Sequence, residues 1–307
     1  MLSPVVVGLN RLRLGFPRYC FEGAGGIGDD LLCTTVFHEL KKRSNDRVII
    51  VTTHPTLFDQ NNDVDGIISP PHTLCDHWLR KGLQFKKLSY AQYDPIRRAD
   101  EVPSEHILIK ICRVAGLSGQ ISLRPYFYLT ENELREGKIS ANQVVIQSSG
   151  QASAHFMLNK EWYPDRFQAV CNNLRVQHTV IQIGSSQDPV LEGAIDLRGK
   201  TTLRQSAAIL ANSVVFVGLV GFLMHLARAV SCRAVIIYGG RENPDQTGYV
   251  ANTNLYSPIP CAPCWLYNSC DYNHQCMDMI SSEQVITAVT EQIGRAGTEL
   301  EVQTAEI

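Results

Sequence analysis

Short apolar runs alternate with amphipathic stretches along most of the chain. Tyr19-Cys20-Phe21 is a short apolar run, and a glycine-rich loop follows it. Leu31, Leu32, Thr35, Val36 and Leu40 then recur at helical spacing, which predicts strand, loop and a helix over about Asp30–Lys42. Arg47–Thr52 predicts a second strand, Asp65–Ile68 a short third, and Glu105–Ala115 a helix. From Pro70 to Pro103 no period emerges; His72, His77, Trp78, Arg80, Tyr90, Tyr93, Arg97 and Arg98 lie there, and the region is read as a substrate-facing insertion. The polar stretch Thr130–Asn142 is read as a boundary between domains. Beyond it the alternation resumes: strand Val144–Ile146, helix Asp165–Leu174, strand Thr179–Ile183, helix Thr202–Ala211, strand Val214–Val217, helix Leu223–Val230 and strand Ala234–Tyr238. Glu299–Ile307 reads as a frayed tail. The expected architecture is α/β, two Rossmann-like domains over 1–135 and 136–307, facing one another across a central cleft.

The length of 307 residues suits two such domains. With 28 basic against 30 acidic side chains the formal charge is −2, so no long-range field points to nucleic acid. No basic segment precedes an apolar core and a cleavage site near the start, so secretion by that route is not expected. Ala207–Ala227 carries no Asp, Glu, Lys or Arg and would pass for a membrane span on length alone. Asn212-Ser213, Gly218 and Gly221 interrupt it, and helix, buried strand, glycine loop and helix describe it better.

Gly23, Gly25 and Gly28 match the dinucleotide spacing G-x-G-x-x-G between a strand and a helix. The second strand, however, ends in Val51-Thr52-Thr53-His54 with no carboxylate for a ribose. Asp29-Asp30 would also repel a pyrophosphate at the helix start. A nicotinamide dinucleotide is therefore not expected. Two readings remain for the acids: a general base projecting from the loop, or a helix cap.

Ten cysteines divide unevenly. Cys20, Cys33, Cys75, Cys112, Cys171 and Cys232 are scattered, as small buried hydrophobes are. Cys261, Cys264, Cys270 and Cys276 cluster, opening with a Cys-x-x-Cys knuckle that suits structural Zn or Fe. Free thiols and disulfides stay open beside the metal, and His274 is a spare ligand.

Three segments resemble glycosyltransferase family 9, the ADP-heptose heptosyltransferases of lipopolysaccharide assembly: Gly26-Ile27-Gly28-Asp29-Asp30-Leu31-Leu32, Leu197-Arg198-Gly199-Lys200-Thr201-Thr202-Leu203, and Val217-Gly218 with Met224-His225-Leu226-Ala227-Arg228-Ala229. The resemblance runs from about residue 19 to 290. It implies a GT-B fold with the acceptor on the N-terminal domain, a nucleotide-sugar on the C-terminal one, and inverting transfer without a catalytic metal. By the same resemblance Asp29 is the base, with Gly26, Gly28 and Asp30 in the loop near the acceptor. Lys160 in Lys160-Glu161-Trp162-Tyr163-Pro164 contacts donor phosphate, and Ser148, Ser149, Gly218, Val220, Gly221, Met224 and His225 complete the donor site. Relatives carry an acid where this chain has Val220. Relatives with a comparable cysteine cluster favour metal at Cys261, Cys264, Cys270 and Cys276. The expected partners are a nucleotide-sugar donor, ADP-linked first, and a glycan, lipid-linked or other hydroxyl acceptor, with peripheral membrane contact and a cytoplasmic location. The alternative is a non-catalytic nucleotide- or glycan-binding or scaffold protein of the same fold.

Overall fold

The computed structural model describes residues 18–70, 83–96, 99–151, 156–295 and 297–307. His72, His77, Trp78, Arg80, Cys75, Arg97 and Arg98 lie outside them. The chain divides into two compact units. Unit 1 holds Met1–Tyr90, Leu108–Tyr128 and Thr304–Ile307, and unit 2 holds Ala91–Ile107 and Leu129–Gln303.

Unit 1 opens with β1 (Tyr19–Glu22), α1 (Ile27–Arg43), β2 (Val48–Val51) and β3 (Gly66–Ile68), and β4 (Lys86–Lys87) completes a sheet of order β3-β2-β1-β4. Its pairs are parallel, with Phe21 opposite Ile50 and Ile50 opposite Ile67. β2 is buried at each of its positions, as a parallel strand covered on both faces must be. α1 starts three residues earlier than its apolar spacing predicts. Gly26 is its N-cap without a side-chain hydrogen bond, so Gly28, Asp29 and Asp30 lie in the first turn and not in a loop. The negative pair then faces the positive end of the helix dipole, and Lys41, Lys42 and Arg43 close the other end.

In the interval without period, β5 (Tyr93–Asp94) and β6 (Ala99–Asp100) form a small antiparallel pair in unit 2. The chain returns to unit 1 within α2 (Ile107–Ala115), followed by β7 (Gln120–Ser122). The end of the chain is no frayed tail: β14 (Thr304–Glu306) pairs antiparallel with β7, Ala305 opposite Ile121. A three-residue strand made by a contact of such sequence separation leaves no periodic trace.

The longer segment of unit 2 begins at Leu129, one residue before the polar stretch read as a boundary. Thr130 caps α3 (Glu131–Glu136) with a full capping box to Glu133, and Arg204 pairs with the same carboxylate, holding its pKa down at about 2. Then come β8 (Gln143–Ile146), α4 (Pro164–Leu174), β9 (Thr179–Gln182), β10 (Ile195–Asp196), α5 (Leu203–Ala211), β11 (Val215–Leu219), α6 (Phe222–Ala229), β12 (Ala234–Gly239), α7 (Pro244–Thr247), β13 (Thr253–Tyr256), α8 (Gln275–Asp278) and α9 (Ser282–Gly294). The parallel sheet runs β10-β9-β8-β11-β12-β13. Counted from β8 this is the 3-2-1-4-5-6 Rossmann order, whose direction reverses between β8 and β11. Val144, Ile146, Val215, Val217, Val235 and Ile237 point into one core with Phe167 and Val170 of α4 and Val285 and Val289 of α9. Ala207–Ala227 is divided among α5, β11 and α6, and among the described residues no helix is long and apolar enough to cross a membrane.

Candidate active site

In unit 1 the glycines after β1 are explained by the acids that follow. A Cβ on Gly23 would stand 1.9 Å from Asp30 Oδ1, and one on Gly26 would stand 2.8 Å from Asp29 Oδ2. The two carboxylates thus fold back onto the loop. Asp29 is half-buried in the first turn of α1. Asp30 is turned inward, 1% exposed: its Oδ2 accepts the Thr52 hydroxyl at 2.5 Å and lies 2.9 Å from His54 Nδ1. Asp30 therefore ties the start of α1 to the segment after β2, leaving Asp29 as the more exposed acid. The sequence does not single out His54, because its link to Asp30 spans 24 residues, beyond the local pattern's reach, and only its position after a strand could have marked it.

In unit 2 the loops that leave β8 and β11 flank the reversal of strand order, where α/β sheets take their ligands. The first carries Ser148 and Ser149. Ser148 Oγ donates to Pro189 O at 2.8 Å and accepts from Gln182 Nε2 at 2.8 Å. Ser149 Oγ donates to Glu161 Oε2 at 2.6 Å, and Gly150 N–H donates to Glu161 Oε1 at 2.8 Å. Burial raises the Glu161 pKa in spite of both bonds. A pocket of about 280 Å³ adjoins, lined by Ser149, Gln151, Glu161, Trp162 and His274 among others.

Lys160 ends a 3₁₀ turn, Leu158–Lys160, and its Nζ sits 2.5 Å from Glu242 Oε1. Burial alone would raise the Glu242 pKa, but Lys160 and Arg241 beside it hold it down at about 2. Arg241, 1% exposed, reaches Glu242 at 2.5 Å, donates Nε–H to Leu266 O at 2.9 Å and lies over the Trp265 ring. Asp100 stands 3.5 Å from Arg241 and accepts the Tyr267 hydroxyl at 2.7 Å. Lys160 is thus the half-buried end of a charged chain and not an open cation. Glu242 and Asp100 are acids the sequence reading missed. Glu242 comes from the segment after β12, so an acid does stand by the donor lysine although position 220 is apolar.

The remaining donor-site residues are mostly packing groups. Gly218 lies within β11, where a Cβ would meet the Phe216 ring at 2.4 Å. Val220 and Met224 are buried and apolar, and Gly221 caps α6. His225 is buried, its Nδ1 2.6 Å from the Tyr249 hydroxyl, and burial pushes its pKa down to about 3. It is neutral through the physiological range. Glu242 and Lys160 both act on it electrostatically, so the structure brings Lys160, Glu242 and His225 into one neighbourhood.

The cysteine loop is fastened to the same neighbourhood. Trp265 N–H donates to Arg241 O at 3.0 Å, and Asn159 Nδ2 reaches Leu266 O and Ser269 O. His274 Nε2 lies 3.0 Å from Asn159 Oδ1, a strut between the loop and the 3₁₀ turn. Cys261, Cys264, Cys270 and Cys276 form no disulfide, and among the described residues no three His, Cys, Asp or Glu side chains form a set that could hold a metal ion. Burial raises the pKa of Cys261 and Cys276, and the neighbouring Cys264 and Cys270 add to the rise. Cys20, Cys33, Cys112, Cys171 and Cys232 are buried and unpaired.

This fold is the GT-B arrangement of α/β units with parallel sheets, and it is shared with solved glycosyltransferases. The E. coli ADP-heptose LPS heptosyltransferase II is 15% identical, with 91% of this chain and 99% of that chain covered at a TM-score of 0.70. TibC, an iron-containing dodecameric glycosyltransferase from enterotoxigenic E. coli, is 16% identical, with 91% and 78% covered at 0.68. A family 9 glycosyltransferase from Veillonella parvula is 15% identical, with 92% and 99% covered at 0.63. No curated protein matches the sequence significantly. Residues 128–271 match the model of glycosyltransferase family 9 (heptosyltransferase), and this match indicates a glycosyltransferase. It spans unit 2 from α3 to the cysteine loop, and so includes Ser149, Lys160, Glu161, His225 and Glu242.

Proposed function

We propose that this protein is an inverting glycosyltransferase that moves a heptose-like sugar from a nucleoside diphosphate to a hydroxyl acceptor. The observation that carries the reading is the placement of the family 9 match on the unit whose strand order makes a nucleotide site between β8 and β11. A structure of TibC holds ADP-D-β-D-heptose, which favours an ADP-linked donor here. In the reaction the Asp29 carboxylate takes the proton of the acceptor hydroxyl. The oxygen attacks the anomeric carbon, the bond from that carbon to the diphosphate breaks, and the nucleoside diphosphate leaves with the electron pair. Gly26 lets the chain fold closely around that acid, and Asp30 fixes the turn that carries it. The Ser148–Gly150 loop, Lys160 and the Gly218–His225 segment hold the donor, with charge supplied by Lys160 and Arg241 in place of a catalytic metal. The proposed acceptor is a glycan, lipid-linked or other hydroxyl compound, and the proposed location is the cytoplasm.

A second reading has a specific observation behind it. Val220 is buried and apolar, and Lys160 is neutralised by Glu242, which together suit a nucleotide- or glycan-binding protein without turnover. Incubation with ADP-heptose and a panel of hydroxyl acceptors separates the two. Release of ADP by the wild type that is lost in Asp29→Asn, with ADP binding kept, supports the enzyme; binding without release in either supports the binder.

A further inference from the structure

The loop after β8 is shaped for an anion, and a carboxylate of the same chain sits in it. Gln147–Gln151 leaves β8 beside the reversal of strand order, the place where sheets of this order receive phosphate. Ser149 Oγ–H and Gly150 N–H each donate to one oxygen of Glu161, at 2.6 and 2.8 Å, as they would to two oxygens of a phosphate. The loop does not depend on Glu161 for its shape. Gln147 Nε2 donates to Ser149 O at 2.9 Å, and Gln151 N–H donates to Ser149 Oγ at 3.0 Å. At Gly150 a Cβ would come within 3.3 Å of Glu161 Oε1, so the missing side chain is what lets an anion approach this closely. One residue before Glu161, the Lys160 ammonium is matched by Glu242 at 2.5 Å. The Ser149 hydroxyl, the Gly150 N–H and the Lys160 ammonium are therefore each met by a carboxylate.

Glu161 is poorly suited to remain there. Burial raises its pKa, and its charge also raises that of the buried Asp188. The pocket of about 280 Å³ that Glu161 lines gives its side chain room to turn.

We propose that Glu161 is an internal competitor for the donor phosphate: it closes the Ser149–Gly150 cradle when no nucleotide is bound and swings out when a diphosphate enters. The proposal rests on the donor-site reading above and deepens it into a means of regulation. It makes nucleotide affinity depend on how easily one carboxylate is displaced.

Calorimetric titration of the full chain with ADP tests this on wild type, Glu161→Gln and Glu161→Ala. Gln keeps the shape and loses the charge, whereas Ala clears the cradle. The expected order of affinity is wild type, then Gln, then Ala, with Ala about tenfold or more tighter than wild type. Adding Ser149→Ala to Glu161→Ala should abolish most of that gain. If Ala fails to fold, the Gln variant carries the comparison alone. Equal ADP affinity in all three overturns the proposal while leaving the donor site standing. Weaker binding in the variants overturns it too, since Glu161 would then touch the nucleotide. Absence of ADP binding in every variant overturns the proposal and the donor-site reading together.

Discussion

Asp188 offers a quantitative check on the electrostatics around the β8 loop. It is 3% exposed; its Oδ2 accepts Ser185 N–H at 3.0 Å, and its Oδ1 has no hydrogen-bond partner among the described residues. Burial raises its pKa from 3.8 to about 6, with the Ser185 bond opposing, the Glu161 charge adding and Arg198 countering. Between those two values the folded protein holds a proton that the unfolded chain has released. Stability contributed here is therefore intact below about pH 4, falls as pH rises towards about 6, and stays low above it. Roughly two pKa units at about 1.4 kcal/mol each set the penalty near 3 kcal/mol at most. Asp188→Asn removes the charge and keeps an oxygen for Ser185, but leaves an amide N–H₂ where Oδ1 found no partner, at a cost of about 1 kcal/mol or more. The variant should therefore gain about 2 kcal/mol relative to wild type between about pH 4.5 and about pH 8. Urea unfolding followed by tryptophan fluorescence reports the right region, because Trp162 and Trp265 are both buried in unit 2. A difference between the two proteins that does not change with pH would refute the reasoning.

Other consequences can be measured separately. Asp29→Asn should lower transfer by about 10²- to 10⁴-fold while leaving ADP affinity unchanged, as rate and titration measurements on the same preparation would show. Glu242→Gln leaves the half-buried Lys160 without its counter-charge and should destabilise by about 3 kcal/mol, with part of the loss recovered by adding Lys160→Met in a double-mutant cycle. Gly23→Ala would drive a methyl group into Asp30 Oδ1 at 1.9 Å and should lower the melting temperature of unit 1; adding Asp30→Ala, which clears that space, should leave the Gly23 change nearly silent.

The alternation of apolar runs was legible because β8, β9, β11 and β12 are buried on both faces and the helices between them keep one apolar stripe. What stayed hidden depends on pairings distant in sequence. β14 joins β7 through three residues, and the β5–β6 pair belongs to unit 2 although unit 1 surrounds it in sequence. The start of α1 was misplaced because Gly26 caps it without a side chain, removing the usual Ser, Thr, Asp or Asn signal. At the candidate site, Asp29, Lys160 and the Ser148–Ser149 pair were named from motifs. Their partners were not: Glu242 is 82 residues from Lys160, and Glu161, though adjacent to it, faces Ser149 instead. For the four clustered cysteines the spacing marked the loop, but among the described residues they belong to no group of three or more metal-ligating side chains.

The most direct measurement is thermal stabilisation of the purified chain by ADP, GDP, UDP, CMP and their sugar conjugates. A nucleotide that binds only the folded state adds about 2.7 kcal/mol at a hundred times its dissociation constant. The account predicts selective stabilisation by ADP and ADP-heptose, larger in Glu161→Ala than in wild type. A flat response across all nucleotides in both proteins would contradict it.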